Sequence, residues 1–407
     1  MRTLLRKLGQ VGWSFPIILA LLALCIASIF VIISATYTNE ALRDAPSKQA
    51  WYILAGFIAY FALALTPYHW LVRISPILFL VSVCMLVGVF IPGMGRKMYG
   101  AYSWLKLGPF GFEPAEFAKL AFILAMVWFL RLRENQIHQL STVCIALAFT
   151  LIPFLLIKKQ PALGSAGVFI PVFFVMTFAA GARLRHLVLI MALGAVGLGG
   201  YYFVSTKIAH TSDVAGVHNF QVDRIKSWVD PSLDKQGAAW QINQSMITIG
   251  SGGMYGKVPL DWDTAKSMIA ALAGKADVES WMEDTQTALG YLPKNTSYND
   301  LIFSVVGELF GFRGGAVLII CEGTVLLWCL WVAAHARDKT GALLAVGIMA
   351  MLFTHIFVNI GMTIQVVPIT GIPLPFVSYG GTFLIACLAA MGVVQSVWVH
   401  RKTFERA

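Results

Sequence analysis

Charge is scarce in this 407-residue chain. Only 12% of its residues are Asp, Glu, Lys or Arg, about half the ~25% of a soluble domain. That shortage excludes an ordinary water-soluble globule. Cysteine is sparse too, with six residues and no C-x-x-C spacing. Cys25, Cys84, Cys144, Cys321, Cys329 and Cys387 all fall inside apolar stretches. They read as small buried hydrophobes, neither disulfides nor metal ligands. Basic residues outnumber acidic ones 30 to 20, for a net charge of +10. Many of them sit in short clusters between apolar segments, with no basic tail and no groove-reading motif. Nucleic acid is therefore not an expected partner. No internal repeat is visible, which counts against an inverted-repeat transporter.

What the chain has instead is apolar sequence, 58% of all residues. A membrane span needs about 20 apolar residues. Ten candidates lie near residues 14–35, 50–66, 71–91, 115–130, 140–157, 163–181, 186–204, 313–335, 340–365 and 382–399. The expected fold is an all-α polytopic membrane protein, one integral membrane domain over residues 1–407, with one long extracytoplasmic loop (205–299) between spans seven and eight. The first span follows Arg2, Arg6 and Lys7, is too long for a signal-peptide core and lacks a clear cleavage site, so it reads as uncleaved. One set of connections carries Arg2/Arg6/Lys7, Arg73, Arg131/Arg133, Arg183/Arg185, Arg337/Lys339 and Arg401/Lys402/Arg406. Basic short loops mark the cytoplasmic side, which puts both termini inside and the long loop outside.

A few polar residues stand against this apolar background. Asp300 lies where the long loop re-enters an apolar helix, in NDLIF. A charge at that boundary is costly to desolvate, which makes it a functional candidate; the plain alternative is a helix N-terminal residue favoured by the dipole. Glu116 and Lys119 are three apart just inside the fourth span. They are either a helix-surface ion pair or the lining of a polar cavity. Lys158 and Lys159 either snorkel at the outer interface or meet phosphate. Residues 238–249 form an amphipathic helix candidate, followed by the cluster GSGGMYGK. That cluster fails the P-loop pattern, since Ser251 replaces the first Gly and Val258 follows Lys257. It is either a plain turn or a backbone cradle for pyrophosphate with Lys257 as counter-charge. Residues 259–282 look like a helical insertion. Glu322 falls in mid-span, facing either the bundle or a cavity. His355 and Asn359 share one helix face and read as inter-helix glue. Val366 to Thr382 holds three prolines and three glycines before the last span. Irregular backbone at that depth is tolerated only where protein buries it or water reaches it, so it is expected to line the same cavity as Asp300.

Several runs now combine. NIGMT…TGIPLPF-x-SYGG (359–381), SWLKLG…EPAEFAKL (103–120), QPALGSA (160–166), RIKSWVDPSLDKQGAAWQINQS (224–245), GSGGMYGK (250–257) and TQTALGYLP…NDLIFSVVGE (285–308) follow in order over about two-thirds of the chain. Together they resemble the shape, elongation, division and sporulation family of cell-wall polymerases. The HIFVNIGM lead-in is more similar to its rod-shape branch than to its division branch. The resemblance implies a peptidoglycan glycosyltransferase that polymerises lipid II, a disaccharide-pentapeptide on undecaprenyl pyrophosphate, at the outer face of the bacterial inner membrane during wall elongation. It implies a class B penicillin-binding protein transpeptidase and rod-shape complex membrane proteins as partners. The family's essential acid falls on Asp300, and its Glu-x-x-Lys element on Glu116 and Lys119. Ser378 and Tyr379 of SYGG join Lys257 and Lys294 as expected substrate contacts. The chain departs from the family at Ser103, where Arg is common, at Ala162, where Asp is common, and at Gln365, where a small residue is usual.

The chemistry can be stated from the linkage. An α-linked donor giving a β-linked polymer means inversion, so one base that deprotonates the acceptor hydroxyl suffices. Asp300 is expected to be that base. The departing pyrophosphate needs cationic help, from Lys119, Lys257 or Lys294 or from a divalent cation such as Mg2+ or Mn2+. The rival readings are a lipid II flippase and a non-catalytic scaffold for the transpeptidase.

Overall fold

The structure, a computed structural model, describes residues 14–36, 42–98, 101–107, 110–211, 224, 227–228, 237–258, 292 and 298–401. Three apolar helices come first: α1 (Phe15–Thr36), α2 (Ala45–Leu65) and α3 (Tyr68–Gly88). A three-stranded antiparallel sheet follows, β1 (Gly95–Met98), β2 (Ala101–Leu107) and β3 (Phe110–Phe112), in the order β1-β2-β3. This sheet is an addition to the all-α expectation. Its signal was the two-residue alternation of Ala-Tyr-Ser-Trp-Leu-Lys-Leu, obscured by the glycines on either side.

The chain continues with α4 (Pro114–Leu132), α5 (Leu140–Lys159), a short α6 (Leu163–Gly167), α7 (Phe169–Ala179) and α8 (Leu184–Thr211). The expected span at 163–181 is thus broken at Val168, and α8 runs seven residues into the expected loop. After α9 (Ala238–Ser251) come α10 (Ile302–Ala334), α11 (Lys339–Thr363) and α12 (Gly381–His400). Seven of these helices are long and apolar enough to cross a membrane. α4 matches them in length, with 19 residues, but carries Glu116, Lys119 and Arg131.

Burial sets the order of packing. α4 and α12 are buried along nearly their whole length, while α2, α5 and α8 expose apolar side chains such as Trp51, Leu54, Ile145 and Val196. Those outward faces suit lipid. Cys84 and Cys144 also lie exposed on α3 and α5 rather than in the core, which corrects the reading of all six cysteines as buried; among the described residues none is in a disulfide. α2 and α12 approach closely because small residues meet large ones. A Cβ on Gly56 would stand 2.4 Å from a Leu388 carbon, and one on Gly392 would stand 2.6 Å from the Tyr60 carbonyl. Small residues at such crossings let backbones pack without a driving force from water.

α10 is kinked at Gly311, with φ 63° and ψ −164°. The residues from Gly252 to Val258 are seated in that kink. Lys257 N–H donates to the Glu308 carbonyl (3.1 Å), Val258 N–H to that of Leu309 (3.0 Å) and Phe312 N–H to that of Gly253 (2.9 Å). The glycines are needed for contact: a Cβ on Gly256 would fall 2.2 Å from the Leu309 carbonyl oxygen. The cluster's N–H groups at residues 252, 253, 256, 257 and 258 all donate to carbonyls. These bonds favour the plain-turn reading, since a backbone nest for pyrophosphate needs such donors free. The half-helix before the kink, residues 302–310, begins immediately after Asp300 and its neighbour Leu301.

Candidate functional site

The site is built where the segment between α11 and α12 folds back over the start of α10. Three residues in that segment take positive φ, Gln365 (64°), Gly371 (72°) and Phe376 (60°). This gives the Gln365 departure a physical meaning, because glycine adopts that conformation without strain and glutamine does not. A Cβ on Gly371 would lie 3.2 Å from Oδ2 of Asp300. The carboxylate therefore rests on bare backbone. Its own main chain is fixed from α11: Asn359 Nδ2 donates to the Asp300 carbonyl (2.9 Å) and to that of Ile372 (2.7 Å).

Ser378 and Tyr379 complete the clamp. The Ser378 hydroxyl donates to the Asn299 carbonyl (2.7 Å) and accepts from Leu374 N–H (2.8 Å). Its carbonyl accepts from Gln49 of α2 at 3.3 Å. Tyr379 N–H donates to the Tyr298 carbonyl (3.0 Å), and the two rings meet edge to face with centroids 5.6 Å apart. Ser378 is 1% exposed. It holds Asn299 in place from inside the protein, and so positions Asp300 rather than reaching outward to a substrate.

The Glu116–Lys119 pair lies behind this segment. Lys119 Nζ donates to Glu116 Oε1 at 2.8 Å and sits 2.9 Å from His355 Nε2. The side chains of Lys119 and Glu116 are 1% and 4% exposed, which rules out the surface-pair reading. His355 Nδ1 is 3.2 Å from the Pro373 carbonyl. One arrangement satisfies both ring nitrogens: Nδ1–H donates to Pro373 while Nε2 accepts from the ammonium. A continuous chain thus runs from Glu116 through Lys119 and His355 to Pro373, and Asn359 on the same face of α11 ties Ile372 to Asp300. The glue expected of His355 and Asn359 is glue within the site itself.

Glu113, just before α4, has no assigned role from the sequence but belongs here. Its N–H donates to Thr382 Oγ1 (3.4 Å). Burial first, and then the Glu116 carboxylate, push Glu113 up to about 8; Lys119 opposes this and Asp300 adds to it. Burial likewise raises Asp300 to about 6, while the Arg224 guanidinium pulls it down. Arg224 Nη1 donates to the Thr370 carbonyl (3.4 Å), and Trp228 Nε1 to that of Gln365 (3.0 Å). Neither contact is legible from spacing, because Arg224 and Trp228 meet Thr370 and Gln365 across 146 and 137 positions.

Other sequence candidates fall elsewhere. Lys257 Nζ bonds the buried Glu308 carboxylate at 3.0 Å, away from the Asp300 clamp. Glu322 is fully buried in the bundle interior, which settles its facing. Lys294 and the insertion at 259–282 lie outside the described residues. Among the described residues no three His, Cys, Asp or Glu side chains converge to cage a metal. The Asp300 carboxyl acts electrostatically on Glu113, more weakly than Glu116 does.

Comparison with known proteins places this geometry. The profile of the cell cycle protein family FtsW/RodA/SpoVE matches residues 13–261 and 258–403. The chain belongs to the FtsW/RodA/SpoVE family. It is 31% identical over 390 residues to the peptidoglycan glycosyltransferase MrdB of Escherichia coli strain K12, covering 96% of this chain and 94% of that protein. It is 32% identical to the stage V sporulation protein E of Bacillus subtilis strain 168, covering 94% and 95%. Its fold matches a chain of a peptidoglycan synthase complex solved for its coordination of polymerization and crosslinking, at TM-score 0.71 and 25% identity, over 95% of this chain and 98% of that one. As a member of the FtsW/RodA/SpoVE family the chain is a multi-pass membrane protein, as its apolar helices also require.

One prediction arises here. Gly371→Ala puts a methyl against Asp300 Oδ2 at a left-handed position, a strain of about 1–3 kcal/mol. It should lower polymer synthesis at least about tenfold, and a melting curve in detergent separates lost geometry from lost protein.

Proposed function

We propose that the protein is a peptidoglycan glycosyltransferase that polymerises lipid II at the outer face of the bacterial inner membrane during cell-wall elongation. One observation carries the reading: Asp300, a half-buried carboxylate within electrostatic reach of Arg224, rests against Gly371 while Asn359 holds its main chain and Ser378 that of Asn299. This supports a fixed base with a raised pKa, the property a general base near neutral pH needs. Asp300 accepts the proton of the acceptor sugar hydroxyl as that oxygen attacks the donor's anomeric carbon. The bond from that carbon to the diphosphate oxygen breaks, and its electron pair leaves with the lipid diphosphate. His355, held by Lys119 and through it by Glu116, bonds the Pro373 carbonyl in the stretch that packs on Asp300.

A divalent cation, Mg2+ or Mn2+, belongs to the same proposal. Glu113 would be its protein donor, a hard carboxyl oxygen that the ion would ionise, since Mg2+ is usually held by one or two carboxylates together with substrate phosphates; Asp300 stays free to take the proton. Such an ion would offset charge on the leaving group. The basic short connections support cytoplasmic termini. A class B penicillin-binding protein and rod-shape complex membrane proteins are the proposed partners, in keeping with the synthase complex that the fold resembles.

Purified protein given labelled lipid II in detergent has no second compartment, so transport leaves no trace. Glycan ladders on a gel are the expected result. Their absence with the partner transpeptidase and divalent cation supplied would favour a flippase or a scaffold.

A further inference from the structure

Two of the three lysines first assigned to the leaving group are engaged elsewhere, and Lys294 lies outside the described residues. Lys119 is held between Glu116 and His355, and Lys257 is on Glu308. Arg224 is the cation that the structure brings to the Asp300 segment. Its Nη1 donates to the Thr370 carbonyl at 3.4 Å, one residue before Gly371, against which Asp300 Oδ2 rests. Guanidinium and carboxylate thus flank the same two residues of backbone. Arg224 lies close enough to act electrostatically on Asp300, yet no ion pair within 4.0 Å joins them among the described residues. An arginine has five N–H donors in a planar fork that matches phosphate oxygens two at a time. The bond to Thr370 uses one of them. Trp228, four residues on, bonds the Gln365 carbonyl at 3.0 Å and so ties the same stretch of chain to this segment.

We propose that Arg224 forms the diphosphate subsite of this site, holding the donor's lipid diphosphate beside Asp300 and taking up its charge as it departs. The inference rests on the polymerase reading and adds the residue that receives the leaving group. It also explains why the base and the cation stay apart. A direct salt bridge would use up both groups, whereas a gap lets the reacting carbon sit between the carboxylate and the departing oxygen. No atom beyond those of donor and acceptor is needed: the C–O bond to diphosphate breaks, the new C–O bond forms, and the hydroxyl proton moves to Asp300.

Binding of the product tests this without turnover. Full-length protein in detergent is titrated with undecaprenyl diphosphate and, separately, undecaprenyl monophosphate, and affinity is read by thermophoresis. The wild type should prefer the diphosphate. Arg224→Ala should weaken diphosphate binding about tenfold or more, the loss expected for a bidentate charged contact, and should move monophosphate much less. Arg224→Lys should fall between the two, since the charge stays and the fork is lost. Trp228→Phe keeps the guanidinium and should cost less than Arg224→Ala. If Ala does not fold, the near-isosteric Arg224→Gln carries the same expectation. Diphosphate affinity unchanged in the folded variants would overturn the subsite, as would equal losses for both lipids. Wild type that selects diphosphate but makes no glycan would sink the polymerase reading and leave the subsite standing. Glycan synthesis with unchanged diphosphate affinity in the Arg224 variants would do the reverse.

Discussion

Asp300→Asn should reduce glycan synthesis by about 10²–10⁴-fold, the range a positioned general base contributes. Asn keeps the shape of the side chain. It also keeps the main-chain acceptor that Asn359 uses at 2.9 Å, so the clamp around residues 298–301 should survive. Stability should not fall. Burial raises the Asp300 pKa from 3.8 to about 6, so above that pH the ionised carboxylate costs the folded state something that a neutral amide does not. Lost synthesis with an unchanged or slightly raised melting temperature is therefore the expected pair of results. Normal ladders from Asp300→Asn would remove this residue from the chemistry.

Breaking the buried Glu116–Lys119 pair should have the second large effect. Lys119→Met strands a carboxylate that is 4% exposed and takes the partner from His355 Nε2. Removing one member of a buried ion pair costs about 3–5 kcal/mol, whereas replacing both with well-packed apolar groups is often near neutral. The double variant Glu116→Leu with Lys119→Met should thus recover much of the stability that Lys119→Met loses. It should not recover synthesis, because the charges behind Pro373 are gone. Melting curves and product gels on the same three preparations separate the two effects. A double variant that is both stable and fully active would reduce the pair to packing.

The sequence reveals some of this arrangement clearly and hides the rest for identifiable reasons. Long apolar runs announce most of the helices, because a span has to satisfy its own backbone and face lipid along its length. Boundaries are less visible. α10 begins at Ile302 rather than near residue 313, since its kink at Gly311 places glycine and charge where a helix signal would be read as weak. The sheet at residues 95–112 hides behind its glycines. Asp300, Glu116 and Lys119 stand out because charge is rare in the membrane and marks itself. Their arrangement does not: the link through His355 and Pro373 joins α4 to a segment more than 230 positions away. Arg224 and Glu113 carry ordinary polar side chains in polar stretches, so only three-dimensional proximity to Asp300 distinguishes them. Lys257 shows the opposite error. A glycine cluster with a lysine resembles a phosphate loop in composition, while in the fold the lysine's ammonium bonds the Glu308 carboxylate.

The central claim is that the Asp300 carboxylate, in its ionised form, receives the acceptor's proton. The pH dependence of kcat/KM for glycan synthesis reads that ionisation in the free enzyme. Activity should rise with pH along a limb centred near 6, where burial has placed the group. Removing the opposing cation in Arg224→Gln should move the limb upward. A profile that is flat from about pH 5 to about pH 8, or a limb that stays put in a folded Arg224→Gln protein, would contradict the account.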